Sequence, residues 1–148
     1  MHRPRPPLAF IPLAALAALT ACTTPGTTRT PAPLENTTWR LVELSGSPAV
    51  RGEAERAAGL EFLVDGGRVT GSTGCNRLTG TFARTGETLR FGPAATTRMA
   101  CVDPRLMSQE QAFLAALTAT ERHSVDGDTL VLIGPAGPVA RLVRASAR

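Results

Sequence analysis

Between Thr38 and Ala145 the chain is broken into short apolar-alternating runs by turns of only a few residues, and that spacing decides most of what it can fold into. "TWRLVEL" (Thr38–Leu44) is β-branched and aliphatic, with Trp39 and Leu41 on one side of the alternation. "LEFLV" (Leu60–Val64) runs into the hairpin signal Asp65–Gly67, and "RVTGS" follows it. "RLTGTFA" sets Leu78, Gly80 and Phe82 against Arg77, Thr79 and Thr81, a period of two that marks a half-buried strand. "ETLRF" alternates around Leu89 and Phe91 after a turn at Thr85–Gly86. "RHSV", "TLVLI" and "VARLVRA" close the chain, separated by "DGD" (Asp126–Asp128) and "GPAGP". Parallel neighbours need a crossover of about a dozen residues or more, and these turns are far shorter. The sheet must therefore be mostly antiparallel, with seven or eight strands.

One segment is helical, "DPRLMSQEQAFLAALTAT" (Asp103–Thr120), and it falls before the last three strands. Asp103 suits the N-cap and Pro104 the first helical position. Leu106, Phe113, Leu114 and Leu117 make a core-facing stripe, with Arg105, Gln109 and Gln111 pointing elsewhere. A single helix cannot cover a flat sheet of this size. The expected fold is mainly β (α+β), a curved antiparallel sheet or a small β-barrel that the helix plugs or flanks.

The N-terminus reads as a targeting segment. Arg3 and Arg5 precede Leu8–Ala21, fourteen mostly apolar residues, too few for a spanning helix, which needs about 20. The run ends "LTAC", which resembles a bacterial lipobox with Cys22 as the lipidated first mature residue. Thr23–Glu35 follows, nine of its thirteen residues Thr, Pro or Gly, and too poor in apolar side chains to offset its ordering entropy. It reads as a tether reaching roughly 40 Å when extended. The expected organisation is a signal peptide over 1–21, a lipidated cysteine and tether over 22–35, and one domain over 36–148.

Composition argues against a nucleic-acid surface. The net charge is +4, every one of the 16 basic residues is Arg, and the charges are scattered. One Trp, five Phe and no Tyr offer little for base stacking. With Cys22 assigned to lipid, Cys75 and Cys101 remain, and in an oxidising compartment they can form a disulfide. A thiol nucleophile at Cys75 would need a base, and past the leader the only histidine is His123. A redox pair usually has Cys-x-x-Cys spacing, and a structural zinc site wants four Cys or His ligands where the domain has three. Asp126 and Asp128 flank Gly127 as a hairpin loop does. No catalytic residue, metal or cofactor is expected.

Two ordered motifs then resemble a known family. "GSTGCNRLTGTF" followed by "TTRMAC" and "MSQEQAFLAAL" is similar to the META domain, also called HslJ-like, of bacterial lipoproteins and periplasmic proteins. Its pattern matches at Thr38 and Trp39, at Gly74, Cys75, Asn76 and Gly80, and at Thr97, Arg98, Met99, Ala100 and Cys101. It continues through Glu110, Phe113, Leu114 and Leu117 to Gly127, Asp128 and Leu130, covering about 36–144. Phe82 stands where the family often has Tyr, and the last strand lacks the usual aromatic. The resemblance implies a barrel-like fold with one helix and no established enzymatic activity. It also carries a loose association with heat shock, novobiocin resistance and secretion or motility.

Physically, Gly74 and Gly80 permit close backbone approach, Asn76 can bond loop backbone, and Arg98 can bond carbonyls or a carboxylate such as Glu110. Cys75–Asn76 and Thr97–Cys101 would then form one cross-linked corner. The expected protein is a monomeric, non-enzymatic envelope lipoprotein held on the membrane by its N-terminal lipid and facing the periplasm. Thr23 favours the outer membrane over the inner. It would act as a structural or interaction module in envelope stress tolerance, through a protein partner that the sequence does not name. The alternative is a small-ligand binder using the barrel mouth, with Arg98 or Arg77 as anchor.

Overall fold

A computed structural model describes residues 30–52 and 56–145. The strands are β1 (Thr38–Leu44), β2 (Ser47–Pro48), β3 (Gly59–Leu63), β4 (Arg68–Ser72), β5 (Arg77–Thr85), β6 (Thr88–Phe91) and β7 (Ala95–Thr96). Helix α1 (Pro104–Ala119) precedes β8 (Arg122–Asp126), β9 (Thr129–Gly134) and β10 (Gly137–Arg144). All strand pairings between these elements are antiparallel. The order β1-β3-β4-β5-β6-β8-β9-β10 closes on itself through β10 and β1, giving an eight-stranded barrel. The expected barrel, with its helix before the last three strands, is the one that forms. Among the described residues, closure pairs both edges of the eight-strand path, β1 with β10.

Turn chemistry sets the registers. Gly86 and Gly127 have φ of +58° and +54° at the first central position of two-residue turns, a place that strongly favours glycine. The seam between β6 and β8 is the narrowest, with one paired position, Thr88 and Arg122. Backbone bonds from Leu89 to Glu121 O and from His123 to Glu87 O extend it. This is also where the chain leaves the sheet to build α1.

The interior is filled. Trp39, Phe62, Leu89, Leu130, Leu132 and Leu142 from the strands and Leu106 and Phe113 from the helix are fully buried. Phe62 meets Phe82 edge-on at 5.0 Å between ring centroids. Helix α1 starts where expected, because the Asp103 carboxylate accepts the Arg105 N–H at 2.9 Å and Pro104 needs no donor there. It lies across one end of the barrel, its early turns near Val50 and Thr73 and its far end near Ile133, where the Glu121 N–H bonds Ile133 O.

The other end is closed by a segment that composition assigned to the tether. Ala32 and Leu34 are buried. The Ala32 N–H donates to Gly127 O at 2.9 Å and the Asn36 N–H to Phe62 O at 2.8 Å. The Trp39 indole N–H donates to Leu34 O at 3.0 Å, and Glu35 pairs with Arg84 at 2.8 Å. Packing thus begins at least four residues before Asn36. Two small apolar side chains and four polar contacts outweigh the Thr/Pro bias. Residues 23–29 of the expected tether, the leader and Cys22 lie outside the described residues.

Candidate functional site: the cross-linked corner

The loop Thr73–Asn76 between β4 and β5 and the segment leading to α1 are joined by a disulfide, Cys75–Cys101, with Cα atoms 5.9 Å apart. Gly74 makes the loop possible. Its φ is +101°, and a Cβ there would lie 3.1 Å from Leu106 Cδ2 and 3.3 Å from Gln109 Nε2. Gly80 is tight in the same sense, with a Cβ falling 3.3 Å from that of Ala94.

Asn76 organises the corner. It is buried, its Nδ2 donates to Glu110 Oε2 at 2.9 Å, and its Oδ1 accepts from the Thr97 hydroxyl and the Met99 N–H, both at 2.9 Å. Its own backbone N–H donates to the Thr73 hydroxyl at 3.1 Å. That hydroxyl, fully buried, donates to Glu110 Oε2 at 2.7 Å, while the Thr96 hydroxyl reaches Oε1 at 3.1 Å. The Thr97 hydroxyl also accepts the Arg77 N–H at 3.1 Å. Asp103, capping the helix beside this corner, is held below the usual carboxylate range by hydrogen bonds from Arg105.

Two assignments need correction. Arg98 is exposed and makes no hydrogen bond or ion pair with a described residue. Glu110 is instead satisfied by two hydroxyls and an amide, groups that lose less hydration than a guanidinium when buried. Gln109, read as pointing away, is buried. It accepts the Val50 N–H at 2.6 Å and donates to Thr73 O at 3.0 Å, tying β2's flank to the loop. Thr73, Thr96 and Gln109 belong to the network and were not singled out from sequence. The nearest signal was the placement of Gln109 one residue before Glu110, on the helix turn that follows Leu106.

Met99 keeps an exposed side chain, and its role in the corner is its backbone N–H. His123 sits at the β6–β8 seam with Nδ1 3.0 Å from Glu87 O. Burial pushes its pKa below the ordinary 6.5, the Glu87 carbonyl opposes this, and Arg84 lowers it further. Cys75 precedes the start of β5 and Glu87 follows its end, so the strand's length of roughly 30 Å separates thiol from imidazole. The corner can hold three chain segments together through the disulfide and the bonds of Asn76, Thr73 and Glu110. Neither Arg98 nor Arg77 lines the groove on the wall of β1, β3 and β4.

Comparison with solved structures supports the same architecture. An NMR structure of a protein from Burkholderia xenovorans superposes with a TM-score of 0.63 at 25% identity, covering 86% of this chain and 99% of that one. A second NMR structure gives 0.59 at 20% identity, covering 74% and 89%. A crystal structure of a DUF4847 family protein from Bacteroides vulgatus gives 0.50 at 17%, covering 76% and 93%, a likeness of fold alone. No curated protein matches the chain. The META domain model matches residues 32–147, a span that takes in the packed segment before Asn36 as well as the whole barrel, and the chain belongs to the META domain family.

Proposed function

We propose that this protein is a non-enzymatic, lipid-anchored component of the bacterial cell envelope whose META barrel serves as a rigid structural or interaction module in stress tolerance. The observation that carries the reading is the state of the corner. Its one thiol pair is cross-linked, and the polar side chains of Thr73, Asn76 and Glu110 are turned on one another. Such a network stabilises and specifies a fold when fully satisfied. A disulfide also fits an exported, oxidising location.

In this reading the leader is cleaved before Cys22, the lipid on Cys22 holds a monomer on the membrane, and the barrel faces the periplasm. One acyl chain anchors only marginally, so the several chains of a lipobox cysteine would supply firm attachment. Thr23 after the lipidated cysteine favours the outer membrane. The test is fractionation of cells expressing the full chain and its Cys22→Ser variant. The variant is expected in the soluble envelope fraction and the parent in the membrane pellet. Equal membrane association of both would reject the anchor, and in-cell crosslinking with mass spectrometry of the parent would identify the protein it serves.

A further inference from the structure

The outer wall of β1, β3 and β4 carries a groove of about 780 Å³, within the range of small-molecule sites. Its floor lacks side chains of any size. Ala57, Ala58, Gly59 and Gly71 line it, and a Cβ at Gly59 would run into Trp39 O. The strand register places the outward-facing groups around that floor. Arg40 pairs with Gly59, Thr38 with Glu61, and Glu61 with Thr70. Arg40 and Glu61 are thus diagonal neighbours across the β1–β3 pair, roughly 7–8 Å apart at their Cα atoms.

At that separation the two long side chains have the reach to pair with each other, yet neither enters an ion pair or side-chain hydrogen bond among the described residues. Elsewhere on the wall the opposite happens, with Glu43 on Arg141 and Glu121 on Arg90. The hydroxyls of Thr38 and Thr70 beside them also have no hydrogen-bond partner among the described residues. The groove is therefore lined by one anion, Glu61, and two cations, of which Arg144 is paired with Asp128, leaving Arg40, Glu61 and the two hydroxyls without a partner among the described residues around a bare backbone floor.

We propose that this groove binds a short zwitterionic peptide, its ammonium on Glu61 and its carboxylate on Arg40. A short peptide suits the scale of the site: two extended residues span about 7 Å, comparable with the separation of the Cα atoms from which the two charged side chains project. The peptide backbone lies against the glycine floor with its amide beside the Thr38 and Thr70 hydroxyls. The volume leaves room for side chains larger than methyl groups, so the charged ends, more than the side chains, define the ligand. The inference goes beyond the anchoring role and stands whether or not Cys22 carries lipid.

The test is a titration of the full chain with dialanine, following backbone amide NMR signals. Saturable shifts are expected at Thr38–Arg40, Gly59–Glu61 and Thr70–Ser72. N-acetyl-dialanine methylamide, which lacks both charges, is expected to bind roughly tenfold or more weakly, about 1.4 kcal/mol. Arg40→Gln and Glu61→Gln should each weaken dialanine binding severalfold with an unchanged melting temperature, since both side chains are outside the core. The exchanged pair, Arg40→Glu with Glu61→Arg, should regain binding. Equal binding of the blocked peptide, shifts confined to other surfaces, or no saturable shift at about 20 mM dialanine would each overturn the proposal.

Discussion

Removing the Asn76 amide should unfasten the corner more than any other single polar change. The side chain makes three bonds in a buried site, one of them to the Glu110 carboxylate. A neutral bond contributes about 1 kcal/mol net and one to a charged group about 1.5–3. Asn76→Ala should therefore cost about 3–5 kcal/mol, a large part of the roughly 5–15 kcal/mol that holds a domain together. For a domain of this size that lowers Tm by roughly 10–20 °C. Asn76→Asp refines the test, because it keeps the shape and the two acceptor contacts but turns an oxygen toward Glu110 Oε2 at the 2.9 Å now held by an N–H. Two carboxylates so close cannot both ionise, so the introduced acid's folded pKa rises above its unfolded value of about 3.9. The stability of that variant is then fullest below about pH 4 and is lost as pH rises through the folded pKa. Urea unfolding followed by circular dichroism, at acidic and neutral pH with the disulfide intact, measures both. A cost under about 1 kcal/mol for Asn76→Ala, or an Asn76→Asp deficit that does not change with pH, would refute the reasoning.

Reducing the Cys75–Cys101 bond, or replacing both residues with Ala, should cost about 3.5 kcal/mol by chain entropy for a separation of 26 residues, read as a shift in urea midpoint with and without reductant. Because the bond and Asn76 hold the same corner, the combined variant should lose less than the sum of the two. Gly74→Ala should destabilise by about 1–3 kcal/mol, since it combines a left-handed φ with a close contact to Leu106, and thermal unfolding checks it. Arg98→Ala should leave Tm within a few degrees, its side chain being exposed and unbonded, whereas a large drop would restore the bond to Glu110 that the structure withholds. His123 has a folded pKa below 6.5, so the unfolded chain binds the extra proton. Its contribution is full above about pH 6.5 and is lost as pH falls from there through the folded value, and His123→Gln should flatten that part of the stability profile.

What could be read from the chain follows from how local each signal is. Strand β4 and the start of α1 needed only neighbours in sequence: an alternating run after a glycine turn, and an Asp-Pro step. Strands β2 and β7 are two residues each. The first rests on the tight turn at Ser45–Gly46, and the second exists only because Leu78 and Thr79 lie opposite Thr96 and Ala95. Gln109 looked like a solvent-facing polar residue because its partners, Val50 and Thr73, are 59 and 36 positions away. Charge complementarity made Arg98 the natural partner of Glu110, but the buried hydroxyls and amide were already there in the folded loop. Leu34 sat in a Pro/Thr-rich stretch whose average hid what one side chain does once Trp39 can donate to its carbonyl.

The packed N-terminal segment has a mechanical consequence. Any pull arriving from upstream of Thr30 meets the bonds from Ala32 to Gly127 and from Asn36 to Phe62, and the Glu35–Arg84 pair, before it can reach β1. These contacts engage β3, the end of β5 and the β8–β9 turn at once, so the load is divided among several strands and does not peel one from its neighbour. The segment works as a strain relief at the point where a cable enters its housing. Movement of whatever lies before it can be absorbed without opening the β1–β10 closure that keeps the barrel shut.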